Sequence, residues 1–517
     1  MALDIFGKLK ELGFKTCPED FYGHVDEWKA WYDGNVEKFH HYRVYNGQKT
    51  IRCNRYGLGM AKKICEDWAN LLLNEKVKIT LEGDKEQEFF DQVCRDNSFQ
   101  VKSNELEELT FFGGTTSIIV RAVDVPVNQQ TGDVTGNGRL VLDYAYMPNI
   151  YPLTWENGKI SQCAFATKKV DGDDEYMYLQ IHRLNESNTY DIENYLFRDN
   201  EGSMFAVPLD TIDDLADVAE KVTTGESERM FVINRPNIVN NLDPSLPLGI
   251  SVYANAIPQL KGVDIAYDSY VNEMVMGKRR IIVKAEALTS VDGNPTFDPD
   301  DVVFYALPED SSSGSEATMI NPINMDIRSA QLNNALQDML VNLSSKCGFG
   351  ENQYKFNQGG VATATQIVSE NSTLFRTIKK HEIVLEDMLV ELARIILRMG
   401  NLYCGQHLNT DVEITIDFDD SIIEDRNTEF QRDAMMVQMG VMNLWEFRMK
   451  WMNESEETAK AALPQMDELA GLVEDETEYN PPPNSNAQGG ANNSPSAGKK
   501  KPPQKKQAPP KGEREEE

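Results

Sequence analysis

Residues 247–276 read PLGISVYANAIPQLKGVDIAYDSYVNEMVM, and residues 325–348 read MDIRSAQLNNALQDMLVNLSSKCG. In the first, Tyr253, Ala256, Leu260, Val263, Tyr267, Tyr270 and Met274 recur three and four apart, the period of a helix with one packed face. Lys261, Asp264, Asp268 and Asn272 form a polar stripe beside it, and Pro258 sits where such a helix restarts. In the second, Leu332, Leu336, Met339, Leu340 and Leu343 repeat the helical spacing. At about 1.5 Å per residue each helix is about 30 Å long. Between them lie the strand-like IIVKAEAL (281–288) and DVVFYAL (301–307), in a stretch rich in Asp, Pro, Gly and Ser. Two helices of matched length around a small insertion predict an antiparallel pair with a projecting tip.

Downstream, KCGFGENQYKFNQGG (346–360) reads as a mobile loop, because glycines lower the cost of varied backbone conformations. A long helix is expected over Thr363–Met399, opened by the capping-box pair Thr363 and Gln366. Its stripe of Ile367, Leu374, Ile378, Leu385, Met388, Leu392, Ile395 and Met399 offers more apolar face than one subunit is expected to bury. Its length would be about 55 Å. The strand DVEITIDF (411–418) and amphipathic helices over Thr428–Leu472 follow. From Glu474 the chain turns to Pro, Gly, Asn, Ser and Lys, a composition that cannot bury enough surface to fold. Deleting Pro481–Glu517 should therefore leave solubility and assembly unchanged; an insoluble truncation would refute this.

Upstream, TSIIVRAVDV (116–125) and RLVLDYAYM (139–147) flank Asn137-Gly138, a strong hairpin signal, and short strands continue to about Val207 as an antiparallel sheet. Helices are expected at Gly59–Leu73, Glu82–Cys94 and Glu105–Leu109.

The chain has 517 residues, with 51 Lys and Arg against 83 Asp and Glu, a formal charge of −32. The tail from Glu474 holds seven basic and eight acidic residues, so −31 falls on the folded body. Such acidity opposes ordinary nucleic-acid affinity, yet suits a surface past which DNA slides without sticking. No apolar run approaches the roughly 20 residues of a membrane span. The start MALDIFGKLKELGF lacks the pattern of a signal peptide, so residence in the cytoplasm where the chain is made is expected. Seven scattered cysteines form no CxxC pair and read as reduced, mostly core residues. No GxxxxGK[ST], GxSxG or HExxH occurs. Asp417, Asp419 and Asp420 lack partner ligands for a metal, and His40-His41 reads as a surface pair. No catalytic residue, cofactor or metal is expected.

This order of elements resembles the portal proteins of long-tailed bacteriophages, carried by residues 247–274, 325–348, 348–360 and ATATQIVSENSTLFRTIKKHEIVLEDMLVEL (362–392). GISVYANAIPQLKGVD and GGVATATQIVSEN are the most family-like segments. The resemblance implies an α+β, predominantly helical chain with the portal fold. Its parts would be a wing of helices then antiparallel sheet (1–248), a first stem helix (249–283) and a small α/β clip (284–325). A second stem helix (326–345), a tunnel loop (346–362), a long tunnel helix with a wing strand (363–427), a helical crown (428–473) and a disordered tail (474–517) complete it.

The implied function is a non-enzymatic ring, usually of twelve subunits, at one capsid vertex, serving DNA packaging, ejection and head–tail joining. Head-to-tail contacts close into a ring when the rotation permits. Its implied partners are other copies of the chain, double-stranded DNA, the terminase large subunit, major capsid and scaffolding proteins and a head–tail adaptor, with no membrane. Its place is the virion, reached through the host cytoplasm. Candidate channel residues are Lys346, Gly348, Phe349, Gly350, Lys355 and Phe356 of the tunnel loop, and Asp264 and Asp268 of the first stem helix. Lys278, Arg279 and Arg280 would meet a neighbour's acid or DNA at the channel exit, although a helix C-terminus favours cations in any case. The alternatives are another virion connector protein, or an enzyme whose site is assembled from distant residues.

Overall fold

The computed structural model describes residues 5–45, 47–74, 77–125, 138–172, 174–200, 203–277, 280–284, 304–307, 320–323, 326–351, 353–355, 364–418, 426–452 and 454–462. It is a mixed α and β architecture with more helix than strand. The chain divides into two compact units, residues 1–426 and 427–517.

The first unit opens with α1 (Ile5–Glu11), α2 (Glu19–Tyr32) and one turn of α3 (Glu37–His40), then a two-stranded ribbon of β1 (His41–Tyr45) and β2 (Thr50–Asn54). Sequence periodicity announces none of these. α4 (Met60–Leu72) falls inside its expected span, and β3 (Lys78–Leu81) precedes α5 (Asp84–Asp96). α6 (Phe99–Gly113) runs for 15 residues where five were expected. Its packed face carries polar residues that find partners inside, which hides the apolar period. Thr110 Oγ1 bonds Leu106 O at 2.9 Å, and Asn234 Nδ2 donates to Glu107 Oε2 at 2.5 Å.

Strands β4 (Thr116–Val123), β5 (Arg139–Tyr146), β6 (Ile150–Glu156), β7 (Lys159–Asp171), β8 (Asp174–Leu184), β9 (Tyr190–Asn200), β10 (Ser203–Val207), β11 (Lys221–Thr223) and β12 (Phe231–Asn234) follow. They form a β12-β4-β5 sheet and a β10-β9-β8-β7-β6 sheet, with β11 added on β9. Asn137 lies outside the described residues, while β4 and β5 pair antiparallel from Thr116↔Tyr146 to Val123↔Arg139.

Next come α7 (Ile257–Met276), β13 (Arg280–Lys284), β14 (Phe304–Leu307), β15 (Ile320–Ile323) and α8 (Ser329–Lys346). The three strands make their own sheet, with β13 between β14 and β15. Pro258 sits in the first turn of α7, where its missing N–H costs no helical bond, so the helix starts there instead of kinking. α9 (Ala364–Tyr403) has 40 residues, and β16 (Ile414–Asp417) pairs with β3. The second unit holds α10 (Arg426–Gln438), α11 (Leu444–Met452) and α12 (Glu456–Ala461).

One continuous core joins α2, α4, α6, the two larger sheets and α9. The expectation that α9 carries surplus apolar surface is wrong for its second half. Leu385, Met388, Leu392, Ile395 and Met399 are all buried within the protomer. Each such side chain contributes about 1.5–3 kcal/mol, so the stripe serves this chain's own stability. Asp417 is the last residue of β16, and Asp419 and Asp420 lie outside the described residues.

Glu107, His182 and His381 are titratable groups buried inside this unit. Burial pushes Glu107 up to about 7, with the Asn234 hydrogen bond opposing, and pushes His182 and His381 down to about 3. The His182 ring meets Phe165 and Phe231 edge-on at 5.6 and 5.3 Å, and neither ring nitrogen has a hydrogen-bond partner among the described residues. A histidine of lowered pKa stays neutral in the fold while the unfolded chain takes up a proton below about 6.5, so acid destabilises the fold through it. Glu107 works the other way, costing stability as pH rises between its ordinary value and about 7. His182→Leu should therefore raise stability, and near pH 5 by about 2 kcal/mol more than near pH 8. Urea denaturation at the two pH values checks this; an equal gain at both would refute the buried neutral histidine.

Candidate functional site

α7 and α8 lie antiparallel. At one end Arg328 donates to Glu273 through Nε at 2.9 Å and through a terminal nitrogen at 2.8 Å, a two-pronged pair that lowers Glu273 to about 2. At the other, Pro258 and Gln259 share a cleft with Asn342, Ser345 and Lys346. Midway, Gly262 is so close to Met339 that an added Cβ would sit 3.2 Å from its sulfur. The chain thus leaves at Gly277 and returns at Arg328 with both ends clamped.

Asp264 and Asp268 are not an exposed acidic stripe. They are 5% and 8% exposed, and one oxygen of each accepts from the segment following the β1–β2 ribbon. Leu58 N donates to Asp264 Oδ1 at 2.8 Å and Tyr56 N to Asp268 Oδ1 at 3.0 Å. His40 is buried too, which corrects the surface-pair expectation. Its Nδ1 accepts from Val36 N at 2.8 Å, so Nε2 carries the proton that it donates to Asp264 Oδ2 at 3.0 Å. A helix carboxylate attracts backbone N–H groups as readily as it faces water, and the loop's need for acceptors decides the matter here. Both acids thus face the interior of the protomer, which corrects their expected place along a channel.

The glycine-flanked loop is also fixed over its first residues. Gly348, at φ +90°, ends α8 in the left-handed conformation. Phe349 N reaches back to Ser344 O at 3.0 Å and Gly348 N to Ser345 O at 3.3 Å, which satisfies the last helical carbonyls. Gly350 O accepts from Ser344 Oγ at 2.6 Å. Phe349, expected in the channel, is 1% exposed and stacks on Trp68 at 4.6 Å. Trp68 in turn stacks on Phe111 at 5.4 Å, meets His381 edge-on at 5.0 Å and donates to Cys347 O at 3.1 Å. His381 Nδ1 accepts from Asn237 N at 3.0 Å. A large aromatic next to glycines is free to turn inward, and burying it outweighs leaving it in water.

Lys346 closes α8 and is exposed, as is Lys355. Between them Tyr354 donates to Asp67 at 2.9 Å, and burial raises its phenol. Phe356, Lys278 and Arg279 lie outside the described residues, and Arg280 begins β13. The structure thus separates the candidates: Phe349, Gly348 and Gly350 are packed elements, while Lys346 and Lys355 remain as exposed cations near one fixed turn. Sequence reading missed His40 and the Glu273–Arg328 clamp. The spacing of 55 residues between Glu273 and Arg328 leaves no local signal, although both flank the insertion.

The family model for phage portal proteins of the SPP1 Gp6-like kind matches residues 14–468. Among solved structures, a chain from the neck of a native gene transfer agent particle computed with C12 symmetry is similar, at 10% identity and a TM-score of 0.34, over 79% of this chain and 90% of that one. A chain from the virion of the native gene transfer agent particle is similar at 10% identity and a TM-score of 0.37, over 88% and 96%. No curated protein sequence matches.

Proposed function

Because the chain belongs to the SPP1 Gp6-like family of phage portal proteins, we propose that its copies close into a ring through which double-stranded DNA is packaged and released. A member of this family is a head–tail connector at the portal vertex of a virion, and its role is structural. The family match over residues 14–468 carries the reading. In that reading α7 and α8 are the stem, the segment between them is the clip, residues 346–362 are the tunnel loop, and the second unit belongs to the crown. The ring is usually of twelve subunits, and its further partners are the terminase large subunit, capsid and scaffolding proteins and a head–tail adaptor.

The channel contacts are proposed for Lys346 and Lys355, the exposed cations beside the Phe349 anchor. They would meet passing phosphates, while the −32 of the whole chain keeps net attraction low enough for sliding. Lys346→Glu with Lys355→Glu should leave ring yield unchanged and lower packaged DNA several-fold. Native mass measurement beside packaged-DNA yield is the test. Normal packaging overturns the lysine assignment, and a wild-type chain that stays monomeric at every salt and concentration overturns the ring.

A further inference from the structure

We propose that the β1–β2 ribbon is an arm that docks on a second copy of this chain, an inference that rests on the ring reading. No Asp or Glu occurs between Glu37 and Glu66, and residues 38–56 hold five Lys and Arg. In a chain of net −32 this leaves −37 on the remainder, so every other copy presents the complementary charge.

The register sharpens the point. Arg43 pairs directly across from Arg52, and Val44 across from Ile51. Residues directly opposite share a face, so the ribbon has one basic face and one apolar face. Like charges opposed in this way destabilise the free ribbon and are relieved by an external carboxylate. Val44 and Ile51 are 45% and 38% exposed, and Tyr45 on the basic face is 67% exposed. A two-stranded sheet alone is marginal in water, and here neither strand pairs with a third among the described residues.

The base, by contrast, is fixed. His40, Tyr56 and Leu58 are tied to Asp264 and Asp268 on α7, and the Arg55 guanidinium lies 4.1 Å from the Phe39 ring centre. A rigid root beneath an uncovered blade suits an arm whose covering comes from outside the protomer. DNA would satisfy the arginines but leave the Val44–Ile51 face in water. An acidic protein surface with an apolar centre satisfies both, and a neighbouring copy brings the acid.

The test uses the full chain with a benzophenone amino acid in place of Tyr45, mixing isotopically light and heavy copies after mass measurement has established assembly. Irradiation should give light–heavy covalent pairs joined at residue 45. Arg43→Glu with Arg52→Glu should lower the assembled fraction about tenfold or more with secondary structure unchanged, while Arg43→Lys with Arg52→Lys should retain it. Assembled chains without light–heavy pairs, cross-links to DNA alone in filled particles, or assembly unaffected by the charge reversal each overturn the arm. A wild-type chain that never assembles overturns the ring reading itself.

Discussion

Gly249→Ala should destabilise the first unit by about 3 kcal/mol or more, or leave no soluble protein at all. Gly249 and Gly114 press backbone to backbone: a Cβ on Gly249 would lie 2.1 Å from Gly114 O, and one on Gly114 2.5 Å from Gly249 O. The obstacle is main chain on both sides, so no rotamer change relieves it. The contact is stitched by Gly249 N to Thr115 Oγ1 at 2.9 Å and Val252 N to Phe111 O at 3.0 Å. It seats the start of the α7 segment on the end of α6. Gly114→Ala should be worse still, since φ there is +78° and the left-handed conformation adds about 1–2 kcal/mol for a side chain. Soluble yield and urea denaturation decide the matter. A Gly249→Ala protein with wild-type yield and a loss below about 1 kcal/mol would show that the approach is not tight.

Asp264→Ala should cost about 2–5 kcal/mol, because His40 Nε2–H and Leu58 N–H both lose their buried acceptor. Asp264→Asn keeps one acceptor oxygen, for Leu58 N–H, but turns its amide N–H2 toward the His40 Nε2–H donor, so it should cost less than the alanine change and still destabilise. Loss of the tie frees the base of the β1–β2 ribbon, so trypsin should cut faster at Arg52 and Arg55 in the alanine protein. A channel-facing aspartate would give neither effect, and unchanged stability with unchanged cleavage would restore that reading.

These acids show where sequence legibility stops. α7, α8 and α9 were readable because their leucines, isoleucines and methionines keep helical spacing over many turns, and the insertion between α7 and α8 is bounded by those helices. The same spacing put Asp264 and Asp268 on a polar stripe, and nothing local says that a stripe is covered by a segment some 200 residues earlier. Phe349 fails for a related reason: its flanking glycines read as freedom, whereas Gly348 is the stop of α8 and the ring lands on Trp68, 279 positions from the Cys347 carbonyl that Trp68 also holds. α6 was cut short because Ser103, Glu107 and Thr110 interrupt its apolar period yet are buried with partners. Lys346 and Lys355 kept their expected exposure because each has glycine, polar residues or a helix end around it and no core to join.

The Glu273–Arg328 clamp changes what the segment between α7 and α8 costs the fold. With Gly277 and Ile327 held in contact by the paired helices, the ends of that excursion meet whatever lies between them. Closing a flexible loop grows only with the logarithm of its length, by about 0.6 kcal/mol for each doubling. Lengthening the stretches that join β13, β14 and β15 is therefore a small perturbation to the paired helices, and α7 and α8 stay in register.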